Sequence, residues 1–272
     1  MVCISWLVRR AYLTLFELYS TFEHFQLSTT PLVVTFCPFL GLAGAIMGHL
    51  EANSMKTVAT YSRKGGTGKS TISFILACFA SAAGHRVLLV AMDPQGDGPR
   101  WASGGDRKLM EGDYFESPLG FTVLFSPRYM PELDTTDWDL VVIDMPPEVE
   151  TVSQVNPNLW LTPLDGRDAV LDTMPVIPQM IASGAQVLFV MNKVDTAGKR
   201  VMETLHEGME SISERHEQVF FWSDELPVAG SIARVPSYFQ PPWKVPFGKG
   251  TKGANSSLDL CTSVMGMLEL RS

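Results

Sequence analysis

The sequence predicts a doubly wound α/β fold, a mostly parallel sheet with helices on both faces. Three observations carry that prediction. A strand-length run, a glycine-rich loop and an apolar helical stretch follow one another from residue 57 to 83. Further strand-length apolar runs end in polar residues at Asp93, Asp144 and Asn192. These runs alternate with helical patterns instead of showing period-two alternation, the pattern of parallel strands covered on both faces. The whole chain is 46% hydrophobic and 18% charged, and the stretch 55–272 is long enough for one domain with a sizeable core.

The first unit is Thr57–Tyr61 as a strand, then Lys64-Gly65-Gly66-Thr67-Gly68-Lys69-Ser70-Thr71, then an apolar helix from Thr71 to Ala83 stopped at Gly84. A polyphosphate has to be wrapped by several backbone N–H groups at once. Glycines let the backbone approach that closely and take positive φ, which assigns that task to Gly65, Gly66 and Gly68. The helix that follows turns its unpaired N–H groups and positive dipole end toward the same anion. Lys69 then reaches the β- and γ-phosphates, the Ser70 hydroxyl ligates Mg²⁺, and Thr67 and Thr71 complete the nucleotide-binding stretch. A glycine turn that binds nothing leaves the Gly-Lys-Ser ending without a reason.

The strict pattern is G-x-x-x-x-G-K-[ST], and here Arg63 holds its first position, followed by Lys64. The string K-G-G-T-G-K-S resembles the deviant Walker A loop of the ParA/MinD family of dimeric P-loop ATPases. In that family the early lysine reaches across the dimer to the partner's nucleotide, and Lys64 is the residue that matches. The resemblance implies ATP hydrolysis to ADP and phosphate, with ATP and Mg²⁺ as cofactors.

The downstream motifs come in the family's order. Arg86–Met92 is a strand-length run ending at Asp93-Pro94-Gln95-Gly96-Asp97, similar to the family's D-x-D-P-Q-G-N stretch. Asp93 matches the carboxylate that positions the attacking water and stands near the metal. The earlier aspartate of that pattern is Ala91 here, so its role does not carry over. Asp139–Pro147 resembles the Walker B stretch, with Asp144 as the magnesium carboxylate. Either aspartate alone reads equally well as a cap or turn residue. Placed together after apolar strands, they are expected at the crevice outside the carboxyl ends of the sheet.

Gln186–Asn192 ends in Asn192-Lys193-Val194-Asp195, which leaves two readings of the base. Asparagine at this place contacts adenine in ParA-like relatives, whereas Lys193 and Asp195 complete the guanine string of GTPases. The loop, Asp93 and Asp144 side with ATP, and GTP stays as the alternative.

Residues 1–54 stand apart from the ATPase domain, 55–272. Pro31–Gly48 contains no charged residue and just reaches the length of a membrane span, but Thr35, Cys37, Pro38 and three glycines interrupt it. Met55-Lys-Thr-Val-Ala-Thr opens as a P-loop domain normally opens, so the extension reads as a mis-assigned start or a disordered segment ahead of a membrane anchor. The cysteines Cys3, Cys37, Cys78 and Cys261 form no C-x-x-C pair, which points to a reduced cytoplasm and excludes the iron–sulfur branch of the family. No two histidines have zinc-ligand spacing on one helix.

A net charge of −8 excludes a general DNA binder and leaves only local basic patches. ParA-like ATPases bind DNA non-specifically once ATP has clamped the dimer. Candidate contacts are Lys199 and Arg200, where relatives carry a DNA-contacting arginine, then Arg234, and Lys244, Lys249 and Lys252 in a Pro/Gly-rich loop interleaved with Tyr238, Phe239, Trp243 and Phe247, which reads equally well as a solvated loop. The resemblance therefore implies an ATP-dependent homodimer on non-specific DNA, cytoplasmic and nucleoid-associated when ATP-bound. It would position a plasmid, chromosome or protein assembly, with hydrolysis stimulated by a ParB-like or cargo-adaptor partner. A MinD-like membrane ATPase needs a basic amphipathic C-terminus, and Ser257–Ser272 has one basic residue, so a membrane role is not expected. A bacterial tyrosine kinase needs a C-terminal tyrosine cluster, and the last tyrosine is Tyr238. An adaptor with a vestigial site would not need Lys64, Lys69, Ser70, Asp93 and Asp144 together.

Overall fold

The structure is a computed structural model that describes residues 55–105, 107–194, 212–213 and 215–270. These residues all fall within the unit Ser54–Ser272. The expectations for residues 1–54 and for Asp195, Lys199 and Arg200 lie outside them.

Eight strands form one sheet: β1 (Lys56–Thr60), β2 (Val87–Ala91), β3 (Tyr114–Glu116), β4 (Thr122–Phe125), β5 (Leu140–Asp144), β6 (Leu159–Leu164), β7 (Gln186–Val194) and β8 (Val219–Pro227). Their order across the sheet is β3-β4-β2-β5-β1-β6-β7-β8. All neighbours are parallel except the antiparallel pair β3 and β4. The chain leaves β1 toward β2 on one side, and after β5 it crosses to β6 on the other. This reversal leaves a crevice at the C-terminal ends of β1 and β5, where open α/β sheets bind ligands.

Helices α1 (Lys69–Ala82), α2 (Asp97–Ala102), α3 (Arg167–Thr173), α4 (Ile177–Ile181), α5 (Gly230–Ala233), α6 (Val235–Tyr238) and α7 (Lys252–Met267) fill the connections among the described residues. The core divides as the doubly wound reading requires. Val58, Leu89, Val142 and Leu161 pack with α1 and α7 on one face. Ala59, Leu88, Ile143 and Trp160 pack with residues of α3 and α4 on the other. Successive strand residues point to opposite faces, so continuous apolar runs serve both layers.

Helix α1 is buried nearly all round, with Ile72, Phe74, Ile75, Leu76 and Ala77 all in the core. Phe74 anchors it through edge-on contacts with Trp101 at 5.8 Å and Phe121 at 6.1 Å. Its end is a Schellman motif: the His85 N–H donates to the Ala80 carbonyl and the Gly84 N–H to the Ser81 carbonyl, with Gly84 at φ 94°. The helix expected from Thr71 to Ala83 starts two residues earlier, at the end of the glycine loop.

Candidate functional site

The loop leaves β1 at Thr60 and enters α1 at Lys69, and it bends where glycine is needed. Gly66 and Gly68 stand at φ 76° and 98°. Gly68 has a second reason to be glycine, because a Cβ there would overlap the Asn192 side-chain nitrogen. The first helical hydrogen bond runs from the Ile72 N–H to the Gly68 carbonyl at 3.0 Å, which leaves the preceding amides of α1 without helical partners. Ser70 and Thr71 are half-buried in the first turn, and Thr67 is fully buried.

Lys69 is 6% exposed. Burial lowers its pKa, opposed by the charges of Asp144, Asp93 and Glu148. Asp144 and Asp93 are the carboxylates that the motifs placed beside it. Adjacent parallel strands β2 and β5 pair Ala91 with Asp144, so Asp93 emerges close to Asp144.

Asp144 is buried at the end of β5. Its Oδ1 accepts from Ser73 Oγ at 3.4 Å and Thr60 Oγ1 at 3.5 Å, and those two hydroxyls are 2.6 Å apart. Its Oδ2 is buried without a hydrogen-bond partner. A Cβ added at Gly98 in α2 would lie 3.8 Å from that oxygen, so the start of α2 packs close beside it. Burial pushes the carboxyl up to about 7, with Asp93 adding to the rise and Ser70 and Lys69 opposing it. A buried, unpartnered carboxylate oxygen beside a hydroxyl and a second carboxylate suits a hard divalent cation, and Ser70, Asp144 and Asp93 are the residues that would hold it.

Asp93 is half-buried and closes its own turn, its Oδ1 accepting from the Gln95 N–H at 2.9 Å. That turn fixes the carboxylate at the mouth of the site.

Two contacts at the site were not legible as motifs. Lys64 Nζ donates to Asp165 Oδ1 at 3.0 Å. Asp165 follows the last residue of β6, and its hydrogen bond, then its charge, raises the Lys64 pKa. The second contact involves Asn192, which is 7% exposed. Its Nδ2 donates to the Thr67 carbonyl at 2.6 Å and its Oδ1 accepts from the Lys193 N–H at 2.8 Å. One N–H and one lone pair of that amide remain for a ligand. Lys193 Nζ donates to the Gly66 carbonyl. The only sequence signal for Asp165 was its position after an apolar run, Leu159–Leu164.

The basic residues of the C-terminal part are spread out. Arg234 is exposed between α5 and α6 and donates to the Pro246 carbonyl at 2.9 Å. Lys252 pairs with Glu225 at 3.1 Å, and Lys244 and Lys249 are exposed. The aromatics divide: Trp243 packs edge-on against Phe79 at 6.3 Å and Phe239 lies against Gly105, whereas Tyr238 and Phe247 face outward. No helix among the described residues is long and apolar enough to cross a membrane.

Residues 58–240 match the family described as the CobQ/CobB/MinD/ParA nucleotide binding domain (CbiA). The maintenance of carboxysome distribution protein A of Gloeobacter kilaueensis is 37% identical over 101 residues, covering 36% of this chain and 42% of that protein. The chromosome-partitioning ATPase Soj of Thermus thermophilus is 31% identical over 123 residues, covering 36% of this chain and 49% of that protein. In both cases the match spans less than half the length of the relative. Among solved structures, cobyrinic acid a,c-diamide synthase from Mycobacterium smegmatis with bound ATP analog and magnesium superposes with a TM-score of 0.57. It is 20% identical, over 78% of this chain and 94% of that one. At that identity the likeness speaks to the fold, which agrees with the parallel sheet described above.

Proposed function

The chain belongs to the CobQ/CobB/MinD/ParA nucleotide-binding family, and on that premise we propose that it is an ATPase that positions or partitions a cargo. ATP with Mg²⁺ is the proposed ligand, and ADP and phosphate the products. The relatives support this direction: one is named for carboxysome distribution, the other for chromosome partitioning.

The observation that carries the reading is the different setting of two lysines of one loop. Lys69 is buried and feels the charges of Asp144 and Asp93, where a phosphate chain with its cation would lie. Lys64 is 39% exposed and held away on Asp165, outside that nest. A lysine so placed is left out of its own phosphate nest and, once released from Asp165, is free to serve a second subunit. In the proposed reaction the loop amides and Lys69 stabilise charge on the transferred phosphoryl group, and Lys64 does so from the partner subunit. Asp93 orients the attacking water, which becomes part of the phosphate product. When bound, Mg²⁺ would neutralise charge on the β- and γ-phosphate oxygens.

Lys199, Arg200 and Arg234 are the proposed contacts of the ATP-bound homodimer with non-specific DNA, and a cargo-adaptor or ParB-like protein the proposed stimulator. The full chain is tested by co-sedimentation with random-sequence DNA in ADP, ATP and GTP. Retention in ATP alone, abolished by Lys199→Glu with Arg200→Glu while basal hydrolysis persists, supports the reading. Retention in no nucleotide, with hydrolysis intact, removes DNA from it.

A further inference from the structure

The end of β7 is tied to the phosphate loop by two side chains that the reaction above does not use. Asn192 Nδ2 holds the Thr67 carbonyl at 2.6 Å, and Lys193 Nζ holds the Gly66 carbonyl. Lys193 adopts a left-handed backbone, φ 58°, a conformation that non-glycine residues seldom take. Asn192 Oδ1 supports it by accepting the Lys193 N–H at 2.8 Å. The lysine side chain turns back over the loop while Val194 continues the strand, buried.

In a trans peptide the carbonyl and the following N–H point in opposite directions. A Gly66 carbonyl held by Lys193 therefore sets the Thr67 N–H on the side away from β7. A Thr67 carbonyl held by Asn192 does the same for the Gly68 N–H. These amides belong to the stretch that a phosphate would occupy. The loop needs such bracing, because glycine backbone is the most costly to order. Nothing lies within 4 Å of where a Cβ would stand at Gly65 or Gly66. The ties on this stretch are the Thr67 hydroxyl on the Lys64 carbonyl and the two β7 side chains on the Gly66 and Thr67 carbonyls.

We propose that Lys193 is a positioning residue of the phosphate site, and that with Asn192 it clamps the outer carbonyls of the loop so that the Thr67 and Gly68 amides face the anion before it arrives. The inference rests on the reading of this loop as the nucleotide phosphate site. It assigns Lys193 to the polyphosphate, whatever base is attached. A lysine that instead recognises a base, as the string Asn192-Lys193-Val194-Asp195 would have it, makes a different prediction.

The test is calorimetric titration of the full chain with tripolyphosphate, Mg-ADP and Mg-GDP, for the wild type, Lys193→Met and Lys193→Arg. Hydrogen exchange over residues 64–69 is followed without ligand. The clamp predicts that Lys193→Met weakens every ligand that binds by the same factor, about tenfold, as loss of a charged donor on a carbonyl would. It also predicts faster loop exchange in that variant and recovery of most of both effects in Lys193→Arg. Unchanged affinities and exchange in Lys193→Met overturn it, and so does a loss confined to one nucleoside. A wild type that binds none of the three ligands refutes the phosphate-site reading itself. That result differs from a wild type that binds normally and a variant that matches it.

Discussion

Lys64 and Asp165 form an ion pair of 3.0 Å within one chain, joining the lysine of the glycine loop to the residue that follows β6. A lysine proposed to serve the neighbouring subunit is thus held at home, and Asp168 and Asp172 reinforce its charged state. Any arrangement that sends Lys64 to a second nucleotide has to break this contact first.

Asp165→Asn should therefore favour the dimer. The pair is partly exposed, so the gain is modest, no more than about fivefold in the ATP concentration needed for dimerisation. Sedimentation velocity across an ATP titration reads it. A variant that dimerises less readily than the wild type would show that Asp165 supports the dimer, contrary to a parking role.

The two lysines should separate in their effects. Lys69→Ala should lose nucleotide binding, because the buried ammonium proposed to hold the phosphates is removed. Lys64→Ala should keep ATP binding by the monomer and lower turnover about a hundredfold or more, as the loss of a transition-state donor does. Equilibrium binding of a fluorescent ATP analogue beside a phosphate-release assay distinguishes them. Equal loss of binding in both would refute the division of labour.

Asp144 should make the metal-free protein pH-sensitive. Its folded pKa is raised from 3.8 to about 7, chiefly by burial, so the folded chain holds a proton that the unfolded chain releases. The stability from this group is full below about pH 4 and is lost as pH rises through about 7. Thermal melts without Mg²⁺ should show the wild type losing stability between about pH 4 and 7 relative to Asp144→Asn, with no further loss above that. Parallel curves would mean that the carboxyl is ionised throughout. Mg²⁺ should release the same proton, so below pH 7 its apparent affinity should fall about tenfold per pH unit.

Phe74→Ala tests what holds α1, and with it the loop, against the sheet. The ring is fully buried between Trp101 and Phe121, and its removal should cost about 3–5 kcal/mol, read from urea unfolding. A loss under about 1 kcal/mol would place the anchor of α1 elsewhere.

What could be read in advance follows from where the information lies along the chain. β1, α1, β2, β5 and β7 are local patterns, and each was found within two or three residues of its observed ends because apolar runs and glycine stops carry their own boundaries. The segment 99–137 yielded only the strand at 121–125; β3 is three residues long with exposed Tyr114 and Glu116, and a run that short carries no periodicity. β6, and Asp165 with it, carries a weaker signal, since Pro163 breaks the strand-like composition of Trp160–Leu164. The Lys193 contact with the loop was equally hidden. It joins residues 127 positions apart, and such juxtapositions come only from the order of strands in the sheet. The string at Asn192 suggested a base, and the folded chain shows its side chain on the phosphate loop.

The measurement that bears most directly on the central claim is sedimentation velocity of the full chain in Mg-ADP, Mg-ATP and Mg-GTP, beside Lys64→Ala. The account predicts a monomer in ADP, a dimer in ATP, and a monomer in ATP for Lys64→Ala although that variant still binds ATP. A wild type that stays monomeric in every nucleotide while hydrolysing ATP, or a Lys64→Ala variant that dimerises normally, would contradict it.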